Sequence, residues 1–134
     1  MIAVNMAKCY RYALAYHKTF LVVFSFAEGH MQIDELARNI KTGRPPTVLD
    51  VRSGSEYRSG HIPGAVHAPL LKILLRRVTL PGDKEQLLVL TCEHGPRALL
   101  VKSLLNKAGY ARVEMLDGHM TGWRQARLPL EVLS

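Results

Sequence analysis

Cysteine is scarce in this chain of 134 residues, with Cys9 and Cys92 the only two. A disulfide scaffold needs more, and a chain of this length can fold without one. There is no C-x-x-C and no paired Cys/His ligand spacing, which argues against a structural zinc site. Long apolar runs are missing too. The uncharged stretch from Thr19 to Ala27 holds nine residues, where a membrane-spanning helix needs about 20. No basic stripe with interleaved aromatics occurs, and Arg76-Arg77 is the only adjacent Arg/Lys pair. That argues against nucleic acid as the main partner. Internal repeats and low-complexity segments are also absent. The remainder is an ordinary globular composition, 48% hydrophobic and 22% charged, with enough apolar residues for one domain's core.

The formal net charge is +7, and it is unevenly spread. Residues 1–27 carry Lys8, Arg11 and Lys18 and no acid, Gly or Pro. The run Thr19–Ala27 matches the roughly 7–15 residue core of a secretory signal. Ser25 and Ala27 place small residues at the minus-three and minus-one positions before Glu28. The expectation is an N-terminal signal or hydrophobic segment over 1–27, a folded domain over 31–134, and export to the periplasm. A cytoplasmic protein with a packed first helix, or a chain starting at Met31, are the alternatives. No lipobox precedes Cys9. Beyond residue 27 the basic excess is small, a mild field that still helps a small anion approach.

From Met31 onward, strand-like and helix-like pieces alternate. Ile33, Leu36, Ala37 and Ile40 have helical spacing, with Asp34 or its predecessor as a possible cap and Gly43 and Pro45-Pro46 as the stop. Thr47–Val51 is a short buried strand. Ser53–Tyr57 reads as a turn into a short helix, Gly60 to Gly64 as a loop, and Ala65–His67 as a brief strand. Leu70–Val78 reads as a helix with Lys72, Arg76 and Arg77 on its wet side, and Pro81-Gly82-Asp83 as a turn. Leu87–Leu90 is the most continuous strand candidate. A helix with Ala98, Val101, Leu104, Leu105 and Ala108 on its apolar face follows, ending at Gly109. Val113–Leu116 is a further strand, and the last helix contains Trp123. This alternation predicts a parallel α/β sheet covered on both faces.

Strand, short loop, helix is the arrangement that places a ligand-binding loop at the carboxyl edge of such a sheet. Cys92 begins the loop after Leu87–Leu90, and Glu93, His94, Gly95, Pro96 and Arg97 complete it. Pro96 suits a first helical turn. Backbone N–H groups, the helix N-terminus and the Arg97 cation all favour thiolate over thiol at Cys92. A lone cysteine is more often an apolar filler, but this position marks Cys92 as a nucleophile.

Several pieces of the chain, in order, resemble the rhodanese family. They are Leu49-Asp50-Val51-Arg52, Glu56-Tyr57, Gly60-His61-Ile62-Pro63-Gly64-Ala65, the loop from Cys92 to Arg97, and Leu116-Asp117-Gly118 with Trp123. The resemblance covers about residues 33–127. It implies a mostly parallel five-stranded sheet flanked by helices on both faces, and sulfur transfer through a Cys92 persulfide without metal or organic cofactor. Asp50, Arg52, Glu56 and His61 are expected to support the loops, and His94 to lie idle or touch a donor. Trp123 is expected in the core.

Loop length bears on substrate. Four residues separate Cys92 from Arg97, one fewer than in related cysteine phosphatases and arsenate reductases. The next position is Ala98, whose side chain cannot bind an oxyanion. The smaller cradle suits a sulfane sulfur. Two departures stand out: acidic Glu93 follows the cysteine where the family often has a basic residue, and His119 replaces the second Gly of a common pair. Glu93 should oppose thiosulfate. The reading is therefore a sulfurtransferase that takes sulfur from a small sulfur-containing anion, thiosulfate or polysulfide, or from a persulfide, and passes it to a thiol, of a protein among others, or to cyanide. A persulfide carrier in a protein relay and a non-catalytic interaction module are the alternatives; the presence of both Cys92 and Arg97 speaks against the module.

Overall fold

Residues 29–134 are described by a computed structural model. The segment expected at 1–27 and Cys9 within it lie outside the described residues. Ten elements follow in chain order: β1 (His30–Met31), α1 (Ile33–Lys41), β2 (Thr47–Asp50), α2 (Gly54–Ser59), β3 (Val66–His67), α3 (Leu70–Leu74), β4 (Leu88–Thr91), α4 (Pro96–Lys107), β5 (Val113–Leu116) and α5 (His119–Gln125). The five strands form one sheet in the order β1-β5-β4-β2-β3, and every pairing is parallel.

The strands bury alternate residues on opposite faces, as a pleat requires. Leu88 and Leu90 of β4 enter one cluster, with Leu49, Val113 and Met115 of the sheet and Ala98, Val101 and Leu105 of α4. Val89, between them, enters the other, with Val48, Leu116, Leu36 of α1, and Met120 and Trp123 of α5. Helices therefore cover both faces. The α1 stripe does its expected work, with Leu36 fully buried and Ile33, Ala37 and Ile40 packed on the same cluster. Asp34 and Glu35 in its first turn and Arg38 and Lys41 in its last complement the helix dipole.

Four details differ from the sequence reading. The N-cap of α1 is Gln32 without a side-chain bond, and Asp34 lies inside the first turn. Helix α3 ends at Leu74, well short of Val78, and Arg76 takes a left-handed φ of 53°. Leu71, Leu74 and Leu75 face solvent, so the leucine run gave a false impression of a long buried helix. On α4, Lys102 is buried while Ala108 is exposed at the helix end. Strand β1 was not foreseen. Two residues, one of them histidine, carry no period-two signal.

The order β1-β5-β4-β2-β3 makes the chain leave β2 outward to β3 and then return past it to β4. The loops after β2 and β4 therefore diverge at a topological switch point, the usual ligand crevice of such sheets. Asp50 ends β2 opposite Thr91, which ends β4. Cys92 follows at once.

Candidate active site

The loop after β4 turns tightly onto α4. Gly95 sits at its N-cap with φ 128°, a backbone that L side chains rarely adopt, and Pro96 opens the helix. This turn brings the Gly95 N–H onto the Cys92 Sγ at 3.0 Å. The sulfur thus lies at the N-terminal end of a twelve-residue helix, where the dipole favours an anion. Cys92 is fully buried.

Two ion-pair systems hold the loop. The first begins in the α2 turn. Ser53 Oγ accepts the Glu56 N–H while the Glu56 carboxylate accepts the Ser53 N–H, a reciprocal capping box. The same carboxylate receives Arg97, Nη1 to Oε2 at 2.8 Å and Nη2 to Oε1 at 3.0 Å. The Arg97 guanidinium, opposed by some burial, holds the Glu56 carboxyl down to a pKa of about 2. Arg97 is therefore engaged by Glu56, and the cation expected beside the sulfur is locally compensated.

The second system is deeper. Asp50 and Arg52 are both buried, joined through Nη2–Oδ2 at 2.7 Å and Nε–Oδ1 at 2.9 Å. Arg52 Nη2 also donates to the Gly60 carbonyl at 2.8 Å, and Nη1 reaches Glu93 Oε2 at 3.3 Å. Arg124 of α5 grips Glu93 from the other side through both terminal nitrogens. Arg124 first, and Arg52 after it, hold the Glu93 carboxyl below its ordinary range against some burial. The acid after the cysteine is thus neutralised by two guanidinia rather than aimed bare at a donor.

The remaining residues support these loops. His61 is buried, its Nδ1 2.7 Å from the Tyr57 carbonyl and its ring stacked on Tyr57 at 3.7 Å. Its backbone exchanges two hydrogen bonds with Glu131. His94 is exposed, with Nδ1 3.2 Å from Thr121 Oγ1. Trp123 is buried in the core, its indole N–H on the Pro129 carbonyl.

The structure thus gathers Cys92, Glu93, Gly95, Arg97, Glu56, Asp50 and Arg52 in one cluster at the carboxyl edge of the sheet, with His94 exposed beside it and His61 in the adjoining loop. Sequence reading missed Arg124, which has no motif, and gave His119 no role. His119 Nδ1 accepts the Cys92 N–H at 3.3 Å. Its only signal was replacing a glycine.

The chain's likenesses agree with this architecture. A family model described as Rhodanese-like domain matches residues 32–126. Over 99 residues the chain is 35% identical to the HTH-type transcriptional regulator Rv0324 of Mycobacterium tuberculosis, covering 72% of this chain but only 42% of that protein. Over 97 residues it is 28% identical to a protein named Sulfurtransferase from Allochromatium vinosum, covering 72% of this chain and 89% of the relative. The solved structure of the human single-domain sulfurtransferase TSTD1 has a fold of the same kind, 26% identical with a TM-score of 0.62, covering 72% of this chain and 96% of that one. The family match extends through both loop systems and strands β2 to β5, and the chain belongs to the rhodanese-like domain family.

Proposed function

We propose that this domain is a sulfurtransferase that carries sulfane sulfur as a persulfide on Cys92. The observation that carries the reading is the Gly95 N–H on Cys92 Sγ at the head of α4, in a loop with four residues between Cys92 and Arg97. Sulfurtransferases among the relatives support it. The Cys92 thiolate attacks the outer sulfur of the donor. The S–S bond of the donor breaks, and its electron pair leaves with sulfite from thiosulfate, or with a thiolate from a persulfide. Cys92 then holds the persulfide. An acceptor thiolate or cyanide attacks the outer sulfur, a new persulfide or thiocyanate departs, and the Cys92 thiolate returns.

Donor choice follows from charge. Arg97 is engaged by Glu56, and Arg52 and Arg124 by Glu93. The loop therefore presents little uncompensated positive charge to dianionic thiosulfate, which favours a persulfide or polysulfide donor. The full burial of Cys92 favours a relay as the setting, with a persulfide shielded until a thiol partner opens the loop. Intact mass before and after exposure to polysulfide and to thiosulfate tests the reading. One sulfur gained on Cys92, faster from polysulfide, is expected; no gain from either donor would end it.

A further inference from the structure

His119 occupies a backbone conformation that does not call for it. Its φ is 50° and that of Gly118 before it is 77°, a left-handed region favouring glycine or asparagine. The imidazole is nevertheless buried, with 6% of the residue exposed. Nδ1 accepts the Cys92 N–H, and the opposite edge packs under the loop. A Cβ on Gly95 would lie 3.2 Å from Nε2. One ring therefore touches both ends of the segment whose middle folds around the sulfur.

We propose that His119 is a positioning residue for sulfur transfer: its neutral imidazole fixes Cys92 and Gly95 relative to each other, so that the Gly95 N–H stays on the sulfur. The inference rests on Cys92 as the sulfur carrier. Accepting a backbone N–H requires a lone pair on Nδ1, so the ring proton resides on Nε2. The titratable groups around the ring are Cys92 and His94 of the loop, His30 of β1 and Asp117 ahead of α5. Burial holds the His119 pKa below its ordinary value, with His30 and His94 acting the same way and Asp117 opposing. A second proton on Nδ1 would set two N–H donors against each other and release the Cys92 amide. The cradle then loosens in acid.

His119→Asn and His119→Gly separate this role from simple packing. Asparagine offers an oxygen near the Nδ1 position, tolerates the left-handed backbone and does not titrate; glycine relaxes the backbone and offers nothing. Sulfur loading from glutathione persulfide, iodoacetamide alkylation of Cys92 and thermal melting are followed from about pH 5 to 8. Imidazole ¹⁵N spectra of the wild type report the tautomer. Expected are an unprotonated Nδ1 at neutral pH, and loading slowed about tenfold in the glycine variant, the cost of one such hydrogen bond. The asparagine variant should recover the rate and lose the extra acid limb in both loading and alkylation. A protonated Nδ1, or a glycine variant that follows the wild-type profile, would overturn the proposal. If the wild type takes no sulfur at any pH, the persulfide reading fails by itself, and the tautomer and alkylation profiles still judge His119.

Discussion

The Arg97 guanidinium lies across both carboxylate oxygens of Glu56, at 2.8 and 3.0 Å. That carboxylate also caps α2, so one side chain fixes the start of a helix and the end of the loop after β4. The folded-state pKa of Glu56 is depressed from 4.5 to about 2. A depressed carboxyl contributes stability that is fully present above the unfolded value and lost as pH falls through the folded one. The pair is about one-third exposed, so screening reduces the contribution to about 1 kcal/mol. Urea denaturation of the wild type should show that loss between about pH 4.5 and 2, and Glu56→Gln should flatten it.

Cys92→Ser should abolish sulfur loading while leaving the fold intact. The serine hydroxyl fits the same space and accepts the same N–H, but has neither the acidity nor the chemistry for a persulfide. Mass spectrometry and circular dichroism check the two halves. A serine variant still moving sulfane sulfur to cyanide would remove Cys92 from the reaction.

Glu93 has a different consequence from the one its charge alone suggests. Glu93→Gln leaves Arg124 without its carboxylate partner at the loop, and thiosulfate should bind more tightly, its KM falling by up to about fivefold for a screened surface pair. Glu93→Arg adds a third cation against Arg52 and Arg124 and should lower stability as well. Steady-state kinetics with thiosulfate and with a persulfide, beside urea midpoints, measure both. An unchanged thiosulfate KM in the glutamine variant would show that Glu93 does not set donor preference.

Asp50→Ala should be far more damaging than any surface change. It strands the Arg52 guanidinium, 1% exposed, with Gly60 and Glu93 as its remaining partners among the described residues. Breaking one side of a buried pair costs about 3–5 kcal/mol, read directly from equilibrium unfolding.

For location, export with removal of residues 1–27 remains our proposal. A mature chain beginning at Glu28 in the periplasmic fraction is the expected result of N-terminal sequencing. A chain beginning at Met1 in the cytosol would sink it.

Much of the fold was legible because hydrophobic period reports burial directly. Val48 and Leu49 and the Leu88-Val89-Leu90 run supply apolar residues to both faces, which only a sheet covered on both sides needs. The crevice was legible through Cys92 and its short path to Arg97. What stayed hidden depends on partners distant in sequence. Arg124 looks like any wet helical residue until α5 packs beside the loop. Leu71 and Leu74 of α3 have the composition of a core and the exposure of a surface. The Ser53–Glu56 capping box was spelled out in the chain, yet its second duty toward Arg97 exists only in three dimensions.

Strand β1 has one neighbour in the sheet, β5, with His30 beside Met115 and Met31 beside Leu116. During synthesis β1 therefore has no partner among the other described strands until β5 emerges. Between them, β2 and β4 can join early, so the sheet grows outward from its middle and closes at that edge last. Non-local pairing of this kind slows folding, and a transiently open strand edge invites association. A nascent chain stalled after α4 should thus be held by chaperones, and released once Val113–Leu116 is free to pair.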